Sequence, residues 1–126
     1  MPIAYERDDS RRLITVTVTE PHSIEDVLGV IDRQMAEGTW GYAILYDLRS
    51  PMWIAADSQL IADHVKRVGA GRERGPVGIA VGASPEQFRR GLKYSELTRT
   101  IATVEVLLTT AQRDDWLARH SRPRKM

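Results

Sequence analysis

Gly75-Pro76-Val77-Gly78-Ile79-Ala80-Val81-Gly82-Ala83, followed by Ser84-Pro85-Glu86-Gln87, decides the fold. A short apolar run punctuated by glycines reads as a buried strand. Ser84 then offers an N-cap oxygen, Pro85 suits a first helical position, and Gln87 completes a capping box. Strand, tight loop and helix in that order, with the same order repeated around them, specify an α/β architecture. They specify no chemistry.

Upstream, Ile3-Ala4-Tyr5-Glu6-Arg7 and Leu13-Ile14-Thr15-Val16-Thr17-Val18-Thr19 flank the polar cluster Asp8 to Arg12. Ile14, Val16 and Val18 alternate with three threonines, the period of a half-buried strand. The pair predicts an antiparallel hairpin, ended by Pro21. Ser23 with Asp26 resembles a capping box, and Ile24, Val27, Leu28, Ile31 and Met35 repeat at helical spacing up to Gly38. Tyr42 to Leu48 is nearly continuous in apolar character, as in a strand covered on both faces.

A helix over 56–68 is expected to bury Leu60, Ile61, Val65 and Val68. In the helix after Pro85, Phe88 and Leu92 are expected to point inward, and Gly91 marks close packing or a bend. Thr103 to Leu108 reads as the last strand. Thr109 or Thr110 can cap a final helix that packs Trp116 and Leu117 against the sheet. The order β-β-α-β-α-β-α-β-α implies a five-stranded, mostly parallel mixed sheet with an N-terminal antiparallel hairpin. Residues 1–121 form one domain on this reading, and the basic stretch 122–126 is a frayed tail.

The chain has 126 residues, no cysteine and a formal net charge of +1. Thiolate metal sites, disulfides and cysteine nucleophiles are therefore excluded. Its start lacks a signal-peptide core and no run spans a bilayer, so a cytoplasmic protein without a membrane span is expected. The small net charge hides a division. Residues 1–63 carry five basic and eleven acidic side chains, whereas residues 64–126 carry thirteen and six. Such a split marks a face for an anionic partner, faces that meet in an oligomer, or ordinary solvated helices.

Taken together, the element order, Tyr46-Asp47-Leu48-Arg49 at a strand end, the Gly75-led strand and an Ala111-to-Trp116-Leu117 ending resemble the SpoIIAA-like (STAS) superfamily. The resemblance is greatest to the bacterial STAS/SEC14-like domain proteins, and it covers almost the whole chain. It implies that fold and a non-enzymatic regulatory or protein-interaction role. In the anti-sigma-factor antagonists of this superfamily, the helix after the corresponding strand opens on Asp-Ser, and that serine is phosphorylated. Asp57-Ser58 stands in a similar place, which makes Ser58 a phospho-acceptor candidate. The family pattern continues with a small residue and glycine, where this chain has Gln59-Leu60. The alternative role for Asp57 or Ser58 is to cap the helix.

No catalytic or metal site emerges from the residue pattern, and no cofactor is implied. His22, His64 and His120 lack ligand spacing, Gly78 and Gly82 lack a P-loop lysine, and Asp114-Asp115 reads as a solvated face. Arg89-Arg90 and Lys93 lack the interleaved aromatics of a nucleic-acid surface, so no nucleic acid is expected. The segment Ser50-Pro51-Met52-Trp53-Ile54-Ala55 stands out instead, with three large apolar residues in a loop after a strand end. It either folds back over the core or forms a contact surface. Asp47, Arg49, Met52, Trp53, Ile54 and Asp57 are thus the contact candidates, toward a protein partner or a second copy in a homodimer. The alternative is a small-molecule or lipid-binding domain with an apolar pocket behind residues 50–55.

Overall fold

In a computed structural model, which describes residues 3–19, 23–48, 55–70, 72–81 and 85–120, the elements follow the order that the patterning predicts. They are β1 (Ile3–Asp8), β2 (Leu13–Val18), α1 (Ile24–Ala36), β3 (Ala43–Asp47), α2 (Ala55–Val68), β4 (Val77–Ala80), α3 (Pro85–Thr98), β5 (Val104–Leu107) and α4 (Thr110–His120). The sheet runs β1-β2-β3-β4-β5, with β1 antiparallel to β2 and the other pairs parallel. The α/β fold class, with its mixed sheet and hairpin, is as expected.

Local chemistry sets the boundaries. The Ser23 hydroxyl accepts from the Asp26 amide at 3.3 Å, and the Asp26 carboxylate accepts from the Ser23 amide at 2.9 Å, closing the capping box of α1. Gly38, at φ +73, takes the left-handed conformation that ends this helix. Thr109 caps α4 by accepting from the Gln112 amide at 3.1 Å, while the Gln112 side chain accepts from the Leu108 and Thr109 amides. The capping pair expected of Ser84 and Gln87 lies outside the described residues and side chains.

Strand order equals chain order, so each crossover steps one strand further the same way. Right-handed crossovers of that kind place their helices on one face. Val30 and Ile31 of α1, Ile61 and Val65 of α2 and Tyr94 of α3 accordingly share one cluster with Ile14, Ile44 and Ile79. The alternate strand residues Leu13, Leu45, Ala80 and Leu107 face the other way and meet Trp116 of α4. Trp116 is fully buried, as its sequence position predicts. Its indole occupies the space above Gly78, where an added Cβ would stand 2.9 Å from the ring. Gly91 likewise permits close packing, 3.0 Å from Val106 by the same measure.

Two inward residues are corrected. Leu60 is 50% exposed and Leu92 is 45% exposed. The buried stripe of α2 is Ile61, Ala62 and Val65, and that of α3 passes through Gly91, Tyr94 and Thr98. One residue of helical phase is about 100°, enough to turn Leu60 and Leu92 out of these stripes.

Charge fastens the end of α4. Arg119 donates to both Glu105 oxygens at 3.1 Å, and His120 lies 3.3 Å from the same carboxylate. The Arg119 hydrogen bond, working against partial burial, holds the Glu105 carboxyl below its usual 4.5. Its contribution to stability is therefore complete above the unfolded-state value and lost as pH falls through the lower folded one. Glu105→Gln should melt below wild type near neutral pH, and the gap should narrow as acid protonates the folded-state carboxyl. A gap that stays constant with pH would refute the assignment. Trp116→Ala should cost about 3–5 kcal/mol in denaturant unfolding, and a midpoint near wild type would refute its place in the core.

Candidate functional site

Of the sequence candidates, Asp47 is fully described and stands at the C-terminal end of β3. Asp47 closes that strand, half-buried, in register with Thr17 on β2 and Ala80 on β4. The next amide, that of Leu48, donates to the Ala80 carbonyl at 2.8 Å, which ties this end of β3 to β4. Helix α2 opens at Ala55, so Asp57 and Ser58 fall in its first turn, where the backbone N–H groups have no intrahelical partners. The side chains of Asp57 and Ser58 lie outside the description, as do Arg49, Met52, Trp53 and Ile54 altogether. The described strand end at Asp47 and Leu48 and the helix start at Ala55 lie on either side, along the chain, of residues 49–54, which are outside the description.

A second cluster escaped the sequence reading. Arg74 precedes β4, is only 4% exposed and extends between the sheet and the helices. Its guanidinium donates to the Tyr94 hydroxyl at 3.2 Å, the Gln34 side-chain oxygen at 3.0 Å and the Tyr46 hydroxyl at 3.0 Å. It also lies 4.9 Å from the Trp40 ring centroid, a cation–π arrangement. These acceptors come from α3, α1 and β3, and all are neutral. Gln34 is fixed in turn: its amide donates to the Thr39 carbonyl at 2.9 Å, and its backbone carbonyl accepts from the Thr39 hydroxyl at 3.2 Å.

Burial pushes the Tyr94 phenol up to about 12. Burial also opposes the Arg74 charge, but the phenolic oxygens of Tyr46 and Tyr94 outweigh it, and the Arg74 pKa is raised. Among the described residues, the Arg74 Nε and the Trp40 indole N–H find no hydrogen-bond partner. One signal for this cluster was available in the sequence. Gln34 follows Val30 and Ile31 by four and three residues, placing a polar side chain on the buried stripe of α1.

Titratable groups elsewhere form pairs at the surface. His64 is bonded to Asp32 at 2.7 Å across α1 and α2, with Arg67 3.3 Å from its other ring nitrogen. Tyr5, Arg33 and Glu37 form another group, in which the Tyr5 hydroxyl donates to Glu37 at 2.9 Å and Arg33 covers the Tyr5 ring. Among the described residues no cluster of three or more His, Cys, Asp or Glu is placed to hold a metal. No described helix is long and apolar enough to cross a membrane.

Open grooves lie beside Glu6, Asp8, Ser10 and Thr15 (about 520 Å³), beside Arg89, Arg90 and Lys93 (about 360 Å³), and beside Arg99, Thr100 and Thr103 (about 180 Å³). Charged or hydroxyl side chains line all three, with Pro76, Ile101 and Ala102 adding apolar wall to the last. The apolar pocket expected behind residues 50–55 falls outside the described residues. No protein-family model, curated protein or solved structure matches this chain.

The Arg74 cluster makes an energetic prediction. A double-mutant cycle of Arg74→Met and Tyr94→Phe should show a coupling of about 1–3 kcal/mol in denaturant unfolding. Additive losses would mean that the hydrogen bond is not formed in solution.

Proposed function

We propose that this chain is a non-enzymatic regulatory protein-interaction module of SpoIIAA-like architecture, acting in the cytoplasm and switched by phosphorylation of Ser58. One observation supports the reading above the others: Asp57-Ser58 lies in the first turn of the helix that follows the Asp47-ended strand. A phosphate there would add one and a half to two negative charges at a helix start, where unpaired N–H groups and the helix dipole favour an anion. Such a group is tolerated by the fold and changes what the surface can bind. Asp47 and the 49–54 segment adjoin that position in the chain, and in this reading they form the surface whose partner the phosphate admits or repels.

The test compares partners captured by wild type, Ser58→Ala and Ser58→Asp, with thermal melting as the control for folding. Ser58→Asp should alter recovery of at least one reproducible partner by about tenfold, the effect of one or two charge-assisted contacts. All three proteins should melt together. Identical partner profiles for the three would overturn the proposal and leave Ser58 as a helix-start residue only.

A further inference from the structure

The helices of the inner layer stand in the order α1-α2-α3, with α2 packed against both neighbours. Their charges are not alike. Helix α1 carries three acids and one base, α2 two of each, and α3 three bases and two acids. The layer therefore grades from negative through neutral to positive. Glu25 and Asp32 are exposed on the first flank, and Arg89 and Lys93 on the last. On the neutral middle helix stands Leu60, 50% exposed, and on its neighbour Leu92, 45% exposed.

We infer that this layer is a self-association surface on which two copies of the chain pack face to face, about a twofold axis running along α2. That axis carries each α1 onto the partner copy's α3, acid on base, twice. It also sets Leu60 opposite its own mate, with both Leu92 side chains alongside. A twofold axis across the helices would stack acid on acid and base on base, so the charges select one orientation. The contact is isologous, as closed dimers are.

The area fits a weak dimer. Helices of this length are about 20 Å long and 8–10 Å apart, so three of them offer about 500–600 Å² per copy. The total of about 1,100 Å² stands at the lower limit for a specific interface. Flanking charges then govern orientation and salt dependence, while the central leucines supply the apolar contact.

Sedimentation velocity on the full chain, across protein concentration and at low and high salt, tests the inference. Wild type should self-associate, more weakly as salt rises. Leu60→Asp should weaken association by about tenfold, since it sets two like charges face to face at the axis, with an unchanged melting temperature. The pair Glu25→Lys/Asp32→Lys and the pair Arg89→Glu/Lys93→Glu should each be monomeric, because each makes both flanks alike. Mixed together, those two variants should form a dimer of mixed composition, since every facing flank is again opposite in sign. A monomeric wild type overturns the inference, as does a mixture that sediments no faster than its components. Self-association is read without reference to any other partner, so its failure is distinct from failure of the Ser58 switch.

Discussion

A guanidinium enclosed between sheet and helices is the constraint on which the rest of the packing depends. Removing such a charge from water costs several kcal/mol unless its donors are met. Arg74 is met by oxygens from three separate elements, α1, β3 and α3, and by the face of Trp40. Neither α1 nor α3 can shift without stripping an acceptor from a buried cation. The surrounding backbone enforces the same closeness. A Cβ on Gly75 would lie 2.4 Å from the Tyr42 carbonyl oxygen, and one on Gly69 would lie 2.4 Å from the Trp40 ring. The loops before β3 and β4 are thereby pressed together at the point where Arg74 enters.

The neutrality of the acceptors has its own consequence. A carboxylate beside Arg74 would offset the charge more strongly and would titrate in acid. Tyr94, held near 12 by burial, and the amide of Gln34 do not change state across the physiological range. The core is thus insulated from pH, and the acid-labile contacts lie at its periphery, where Glu105 meets Arg119 and Glu37 meets Arg33. Loss of those pairs frays helix ends and leaves the central cation undisturbed.

Much of this architecture was legible in the sequence because strand alternation and caps are local signals. Leu13 to Val18 alternates as a half-buried strand must, and Ser23 with Asp26 announced α1 to the residue. Phase was harder. Leu60 and Leu92 each sit one residue from a true core position, and hydrophobicity alone does not say which of two adjacent apolar residues faces in. Polar residues that the fold buries were the larger blind spot. Arg74 stands in the run Arg72-Glu73-Arg74, which reads as solvated loop, and only tertiary structure supplies its acceptors. At the candidate site, the place of Asp47 and of the first turn of α2 followed from element order. Whether Trp53 folds back or makes contacts depends on side-chain packing beyond any periodic pattern, and it falls outside the described residues.

The winding of the sheet explains why a division of charge along the sequence becomes a property of the surface. In a doubly wound sheet, successive crossovers alternate direction and interleave the two halves of the chain. Here strand order is chain order, so distance along the sequence maps onto distance across the molecule. Among the described residues, the acid-rich first half of the chain therefore lies toward the β1 side and the base-rich second half toward the β5 side. A near-zero net charge of +1 consequently conceals a molecule with two oppositely charged flanks. Such a molecule has weak overall repulsion from its own copies and a preferred direction of approach. The singly wound topology turns a compositional asymmetry that carries no information about fold into one that bears on association.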